Sequence, residues 1–255
     1  MLFLLGTAVL GLLFGSFANV LVYRIPRGES IVWPGSRCPH CANSLAWFDN
    51  VPLLSWLLLG GRCRYCHESI SGRYPLLELL MAVSWTYLAW YIGPQWLLAE
   101  ALALFFLLWV LSFIDLETGL LPDALTYPGM ILGLMFAVPT GHAADSLLGL
   151  CAGYGVFWLV GRVFLMLTGK EGMGHGDYKL LAMLGAFMGW QALPFIVFVS
   201  SFVGAIAGSI ILLLSRRGLR AEIPFGPYLA LAGMIWFLWH EPVLAWYLDL
   251  MAPVQ

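Results

Sequence analysis

Long apolar runs recur along this chain, and they leave few folds open. Each approaches the roughly 20 residues that a helix needs to cross a bilayer. Eight can be read, at roughly 2–22, 76–92, 95–114, 121–139, 144–168, 178–190, 192–214 and 224–247. In lipid, every backbone N–H and C=O must find its partner within the protein. The pattern therefore predicts an all-α, polytopic membrane protein with about eight transmembrane helices. Composition agrees: 61% of residues are hydrophobic and 10% charged, where a soluble domain carries about a quarter charged. The sixth run is short, and its division from the seventh rests on Gln191 and Pro194 as turn markers. Seven spans would put the C-terminus on the other side.

The first run, Met1 to Tyr23, is not read as a signal peptide. Its first basic residue, Arg24, follows it, and it lacks a small-residue cleavage site. A permanent first span with its N-terminus outside is expected. Lysine and arginine placement supports eight spans. Arg24, Arg27, Arg37, Arg62, Arg64 and Arg73 follow the first run, the loop after the fifth holds Lys170 with Lys179 just beyond it, and Arg216, Arg217 and Arg220 follow the seventh. Arg162 lies near enough to that face to snorkel. The opposite loops hold no Lys or Arg. The basic face is expected to be cytoplasmic.

Five runs carry Gly-x-x-x-Gly: Gly11/Gly15, Gly129/Gly133, Gly149/Gly153, Gly185/Gly189 and Gly204/Gly208. Small residues one turn apart let helix backbones approach in lipid, and tight packing within the chain is expected. No repeat of fixed period is evident. The expected divisions are a first span at 1–23, a polar cytoplasmic domain at 24–75, and a seven-helix body at 76–250. Within the polar domain, Val51 to Leu59 is apolar but too short to span; it is expected to lie against the membrane or beneath the helices. A domain this small needs a staple.

That staple is read in the cysteines. Cys38-x-x-Cys41 and Cys63-x-x-Cys66 are separated by 21 residues. Paired thiols on a cytoplasmic face do not form structural disulfides, whereas two such units close a tetrahedral four-thiolate site. Structural Zn2+ is the expected ion. His40 and His67 are read as bystanders, and a redox dithiol pair ranks below zinc because nothing resembles a thioredoxin unit. The fifth cysteine, Cys151, is expected to be a small packing residue.

An ionisable group inside a membrane needs a reason. Glu100, Asp145, Glu241 and Asp249 fall near the outer face and are read as solvated at the boundary, while Glu78 is a minor site candidate. Asp115 and Asp177 differ. One ends the third run and the other opens the sixth, at one cytoplasmic level. Two carboxyls sharing a proton can divide peptide hydrolysis, one activating water and the other protonating the carbonyl oxygen. Helix polarity predicts Asp177 as the resident base and Asp115 as the proton holder. The plainer reading is that both only mark interface ends. Gly172, Gly174 and Gly176 favour the active reading: they clear the approach to Asp177 and permit unusual backbone angles. A flexible connector or an anion-binding loop are the rivals, the latter lacking a preceding strand. His175 is expected to be a neutral loop residue. Asp123 is expected to position the loop after Asp115. Lys179 is expected to meet a substrate carboxylate or lipid phosphate, or simply to snorkel.

Gly174-His175-Gly176-Asp177 is the Gly-x-Gly-Asp pattern of the intramembrane aspartyl proteases of that name. The chain further resembles the bacterial prepilin leader peptidases of type IV pili and type II secretion. The matching pieces are Gly15-Ser16-Phe17-Ala18-Asn19-Val20 with Tyr23-Arg24-Ile25-Pro26; the Cys-x-x-Cys units enclosing Trp47-Phe48-Asp49-Asn50-Val51-Pro52; Arg73-Tyr74-Pro75-Leu76-Leu77-Glu78; Asp115 to Pro122-Asp123; and Glu171 to Lys179. Ala18 and Ala42-Asn43 look like variants at tolerant sites. The resemblance implies a bifunctional enzyme of the bacterial inner membrane with its active site facing the cytoplasm. It would remove the short basic leader of a prepilin or pseudopilin and then methylate the new N-terminal residue from S-adenosylmethionine. It maps the catalytic aspartates onto Asp115 and Asp177, and a region tied to methyl transfer onto Cys38, Cys41, Cys63 and Cys66. Partners would be those substrates and the lipid bilayer, with no nucleic acid. Two other readings stand beside it: a presenilin-like protease without methyltransferase activity, and a proton-coupled transporter, which would place its carboxylates nearer mid-bilayer.

Overall fold

Helices form at each of the eight apolar stretches. The computed structural model describes residues 1–169, 174–214 and 224–251. Among these, α1 (Leu2–Arg24), α2 (Leu54–Leu58), α3 (Arg73–Ile92), α4 (Trp96–Thr118), α5 (Asp123–Thr140), α6 (Ala143–Thr168), α7 (His175–Met188), α8 (Leu193–Leu214) and α9 (Gly226–Met251) account for the α-helices. Five stretches are long and apolar enough to cross a membrane: Leu2–Arg27, Arg73–Ile92, Trp96–Thr118, Ala143–Thr168 and Trp190–Ile210. The chain is thus an all-α, multi-pass membrane protein. At 14 residues, α7 is only about 21 Å long, short of a full crossing. The expectations for Lys170, Glu171, Gly172, Arg216, Arg217 and Arg220 lie outside the described residues.

The described chain divides into two compact units, 1–110 and 111–255. In the first, α1 lies against α3. A β-carbon at Gly11 would stand 2.7 Å from Ala82 Cα, and one at Gly15 would stand 2.6 Å from Glu78 Cα. The first Gly-x-x-x-Gly pair is therefore spent on packing inside the chain, as expected. The polar loop is tied back at both ends. Arg24 donates to the carbonyls of Ser30 at 2.9 Å and Gly35 at 3.1 Å. Glu78 accepts the N–H of Leu53 at 2.8 Å, so this carboxylate anchors the loop. The short helix α2 turns Leu54, Leu57 and Leu58 outward.

In the second unit α7 is the central element. Leu180, Leu181, Ala182, Met183 and Leu184 are fully buried, since α5, α6 and α9 all pack on it. The tightest crossing is α6 on α7, where a β-carbon at Gly149 would stand 2.2 Å from the Gly185 carbonyl oxygen. Two expectations are corrected here. Glu100 is only 7% exposed, so it is buried and not solvated at a boundary. Cys151 is exposed on α6 and fills no core space. Asp145 does stand at a solvated end, beside His142.

Candidate active site and metal centre

The polar loop contains a repeat that inspection of the sequence missed. Residues 37–45 and 62–70 share Arg-Cys-x-x-Cys-x-x-Ser, offset by 62 − 37 = 25 positions. Each copy makes the same bonds. Cys38 N–H donates to Asn43 O and Cys63 N–H to Glu68 O; Ala42 N–H donates to Cys38 O and His67 N–H to Cys63 O. Isolated antiparallel bridges pair Arg37 with Ser44 and Arg62 with Ser69. Ala42 and His67, at equivalent places, take φ of 58° and 59°. With only two short copies and few shared residue types, backbone bonding is what reveals the kinship.

The two turns bring their thiols together. The Sγ atoms of Cys38, Cys41, Cys63 and Cys66 all lie within 4.8 Å of one another, and Cys38 Sγ is 3.8 Å from Cys66 Sγ. A tetrahedral ion with metal–sulfur bonds of about 2.3 Å sets its sulfurs about 3.8 Å apart, so the cluster fits a metal ion. All four are free thiols. Amide N–H groups of Cys66 and Tyr65 lower the Cys63 thiol to about 7, which prepares a thiolate ligand. Arg64 binds Asp49 at 2.8 Å and so ties the turn Trp47–Asn50 to the second Cys-x-x-Cys unit.

The aspartates belong to the second unit. Asp115 sits in the last turn of α4 and Asp177 in the first turn of α7. They are 5% and 9% exposed, and Asp115 is an ionisable neighbour of Asp177. The polar–apolar boundary explains both placements: α4 stops where Gly119 takes φ +66°, and α7 starts after Gly174. The Asp177 backbone N–H donates to the Gly174 carbonyl at 3.2 Å, which closes the first turn of α7. Asp115 Oδ2 accepts the N–H of Gly226, at the start of α9, at 2.8 Å. That bond is a donor to Asp115 which helix polarity does not count, and it opposes the unfavourable helix end. Polarity by itself therefore does not assign the shared proton.

The supporting residues are placed differently from expectation. Gly174 has φ −69° and ψ 141°, extended backbone open to any residue, so its glycine is not required by an unusual angle. Gly176 is required by proximity: a β-carbon there would stand 2.7 Å from Leu121 Cβ. Lys179 forms an ion pair with Asp123 and lies 5.3 Å from the Tyr127 ring. Its partner here is on α5, and Asp123 clamps the start of α5 to α7. His175 is helical and packs 5.4 Å from Tyr178, so it is not a loop residue. Gly226 and Leu121 are the site neighbours that sequence reasoning missed. The available signal was Pro224-Phe225-Gly226-Pro227 opening the last run, a turn signature with no charged residue to draw attention.

A model of the bacterial Peptidase A24 N-terminal domain matches residues 9–92, and one of the type IV leader peptidase family matches residues 102–209. The chain is 44% identical to a prepilin leader peptidase/N-methyltransferase of Aeromonas hydrophila, across 93% of this chain and 91% of that protein. It is 42% identical to the protein of that name in Stutzerimonas stutzeri and 43% identical to that of Pseudomonas aeruginosa, each across 97% of this chain and 94% of the relative. No solved structure matches significantly. The first model covers the four-cysteine loop and α1 with α3, the second covers both aspartates, and the relatives span both together: this chain belongs to the type IV leader peptidase family.

Proposed function

We propose that this protein is a prepilin leader peptidase and N-methyltransferase of a bacterial inner membrane, with its active site at the cytoplasmic face. The single observation that carries the peptidase reading is the buried Asp115–Asp177 pair at the ends of two helices. One carboxylate takes a proton from water, and the water oxygen bonds to the scissile carbonyl carbon. The other carboxyl gives its proton to the carbonyl oxygen. The tetrahedral gem-diol then collapses: the C–N bond breaks, the departing amine takes the proton held by the first carboxyl, and a hydroxyl of the diol returns its proton to the second as the new C=O forms. Gly174 caps the first turn that carries Asp177, Gly176 leaves space beside it, and Lys179 with Asp123 hold α7 to α5. A substrate helix with a charged leader would bring its scissile bond to this boundary depth.

The second activity is supported by the names of the relatives, which are prepilin leader peptidase/N-methyltransferases. The exposed α-amine attacks the methyl carbon of S-adenosylmethionine, the methyl–sulfur bond breaks, and the amine proton leaves to solvent. In this reading the segment 24–75 is a metal-binding domain between the first span and the membrane body 76–250. Cys38, Cys41, Cys63 and Cys66 hold a structural Zn2+, since four thiolates leave no open position. Eight crossings put the basic loops on one face. Substrates are prepilins or type II secretion pseudopilins. A transporter role is disfavoured by family membership.

The test uses purified protein, a prepilin, and mass spectrometry with and without S-adenosylmethionine. Leader loss is expected in both reactions, and one added methyl group only with the donor. Asp115→Asn and Asp177→Asn should each stop cleavage while the protein stays folded. Undiminished cleavage by either variant would refute the pair.

A further inference from the structure

We infer that Gly226 is a positioning residue of the aspartate pair: its amide orients the Asp115 carboxyl, and its missing side chain leaves the space that carboxyl occupies. The inference rests on reading Asp115 and Asp177 as the proteolytic pair. The bond from Gly226 N–H to Asp115 Oδ2 is 2.8 Å long, buried, and joins residues 111 positions apart. A β-carbon at Gly226 would stand 2.7 Å from that same oxygen and 3.2 Å from Asp115 Cγ. Any other residue would push the carboxyl off the donor or move the start of α9.

The donor is free to do this. The first N–H groups of a helix have no acceptor within it, and Pro227 has no N–H at all. Binding Asp115 therefore takes nothing from the α9 ladder. A bond from a fixed backbone N–H to a carboxyl oxygen is directional, and stronger when that carboxyl is ionised, so it restrains rotation of the carboxyl about its last torsion. Leu121 completes the arrangement. Its Cδ2 would lie 3.2 Å from a β-carbon at Gly226, and its Cβ would lie 2.7 Å from one at Gly176. One leucine side chain thus fits between a glycine touching Asp115 and the glycine preceding Asp177. Two carboxyls from different helices are held in register by two absent side chains and one present one.

The experiment uses the full-length protein with two substrates, a prepilin for cleavage and a pre-cleaved pilin N-terminus for methyl transfer. Gly226→Ala should lower kcat for cleavage about 100-fold, the order expected for an ångström-scale misplacement. KM should stay within about threefold, since the loss falls on the transition state. Replacing Gly226 by glycolic acid exchanges the N–H for an ester oxygen and adds no side chain. It should lower kcat about tenfold, as expected for losing a hydrogen bond to a charged group. Methyl transfer to the pre-cleaved substrate should be unchanged in both. Leu121→Ala should fail to rescue Gly226→Ala, because the conflict lies with Asp115. A wild-type kcat in the ester variant, rescue by Leu121→Ala, or a parallel fall in methyl transfer would each overturn the inference. Asp115→Asn separates the two levels. If it cleaves normally, the aspartate reading fails; if it is inactive while the ester variant is normal, only the role of Gly226 fails.

Discussion

Gly149→Ala adds one methyl group at the α6–α7 crossing and should damage a site about two helical turns away. The new β-carbon would lie 2.2 Å from Gly185 O and 2.7 Å from the Gly189 carbonyl carbon. Both are backbone atoms, so no side chain can rotate away. Restoring an ordinary contact of 3.4 Å requires the helices to part by about 1 Å, an overpacking that costs about 1–3 kcal/mol. For a chain of this size the unfolding midpoint should fall by about 5 °C. Because α7 carries Asp177, the displacement also reaches the carboxyl pair, and kcat for leader cleavage should fall about 100-fold. The control is Gly155→Ala on the same helix, where an added β-carbon meets nothing within 4 Å; helix propensity should make it neutral or stabilising by about 1 kcal/mol. Thermal unfolding in detergent and single-substrate cleavage kinetics read both effects. If Gly149→Ala matches Gly155→Ala in both assays, the close crossing does not set the position of α7.

Cys38→Ser should reduce bound metal from about one ion per chain to near none by elemental analysis, because three thiolates leave the tetrahedral site incomplete. Limited proteolysis should then cut within 24–75 while the helical body persists. Ala42→Gly should stabilise the first Cys-x-x-Cys turn by about 1 kcal/mol, since Ala42 holds φ 58° at a side-chain penalty that glycine lacks; slower metal loss to a chelator checks this. Glu78→Ala should expose the loop to protease and lower the unfolding midpoint, as the Leu53 N–H loses its acceptor at about 1–3 kcal/mol.

The parts of this protein that were legible in sequence are those written in local composition. Apolar runs marked every long helix because lipid forces the backbone to satisfy itself within each segment. Asp115 and Asp177 stood out because charge is costly there, and the four cysteines because their spacing is a ligand pattern. What was not legible depends on contacts distant in sequence. Nothing local reveals that Lys179 pairs with Asp123, that Glu78 receives Leu53, or that Glu100 faces the interior. Gly226 was harder still, because its contribution is a backbone N–H, which every residue except proline owns. At Gly176 a missing side chain makes room for Leu121, whereas the backbone angle at Gly174 is open to any residue, and neither contact could be read locally.

The duplicated cysteine turns have a mechanical consequence. Each supplies two thiols on the same bonded frame, so an ion between them rests on two like halves. Neither half closes a site alone. The metal thus acts as a clasp across the loop, and its release is expected to be all-or-none and to free both turns together. The hinge leaves do not depend on it, because α1 and α3 are locked by Gly11 and Gly15 against Ala82 and Glu78. Opening the clasp would unfasten a surface module while the helix pair beneath it stays shut, so a single thiol modification could silence work done at the loop without dismantling the membrane body.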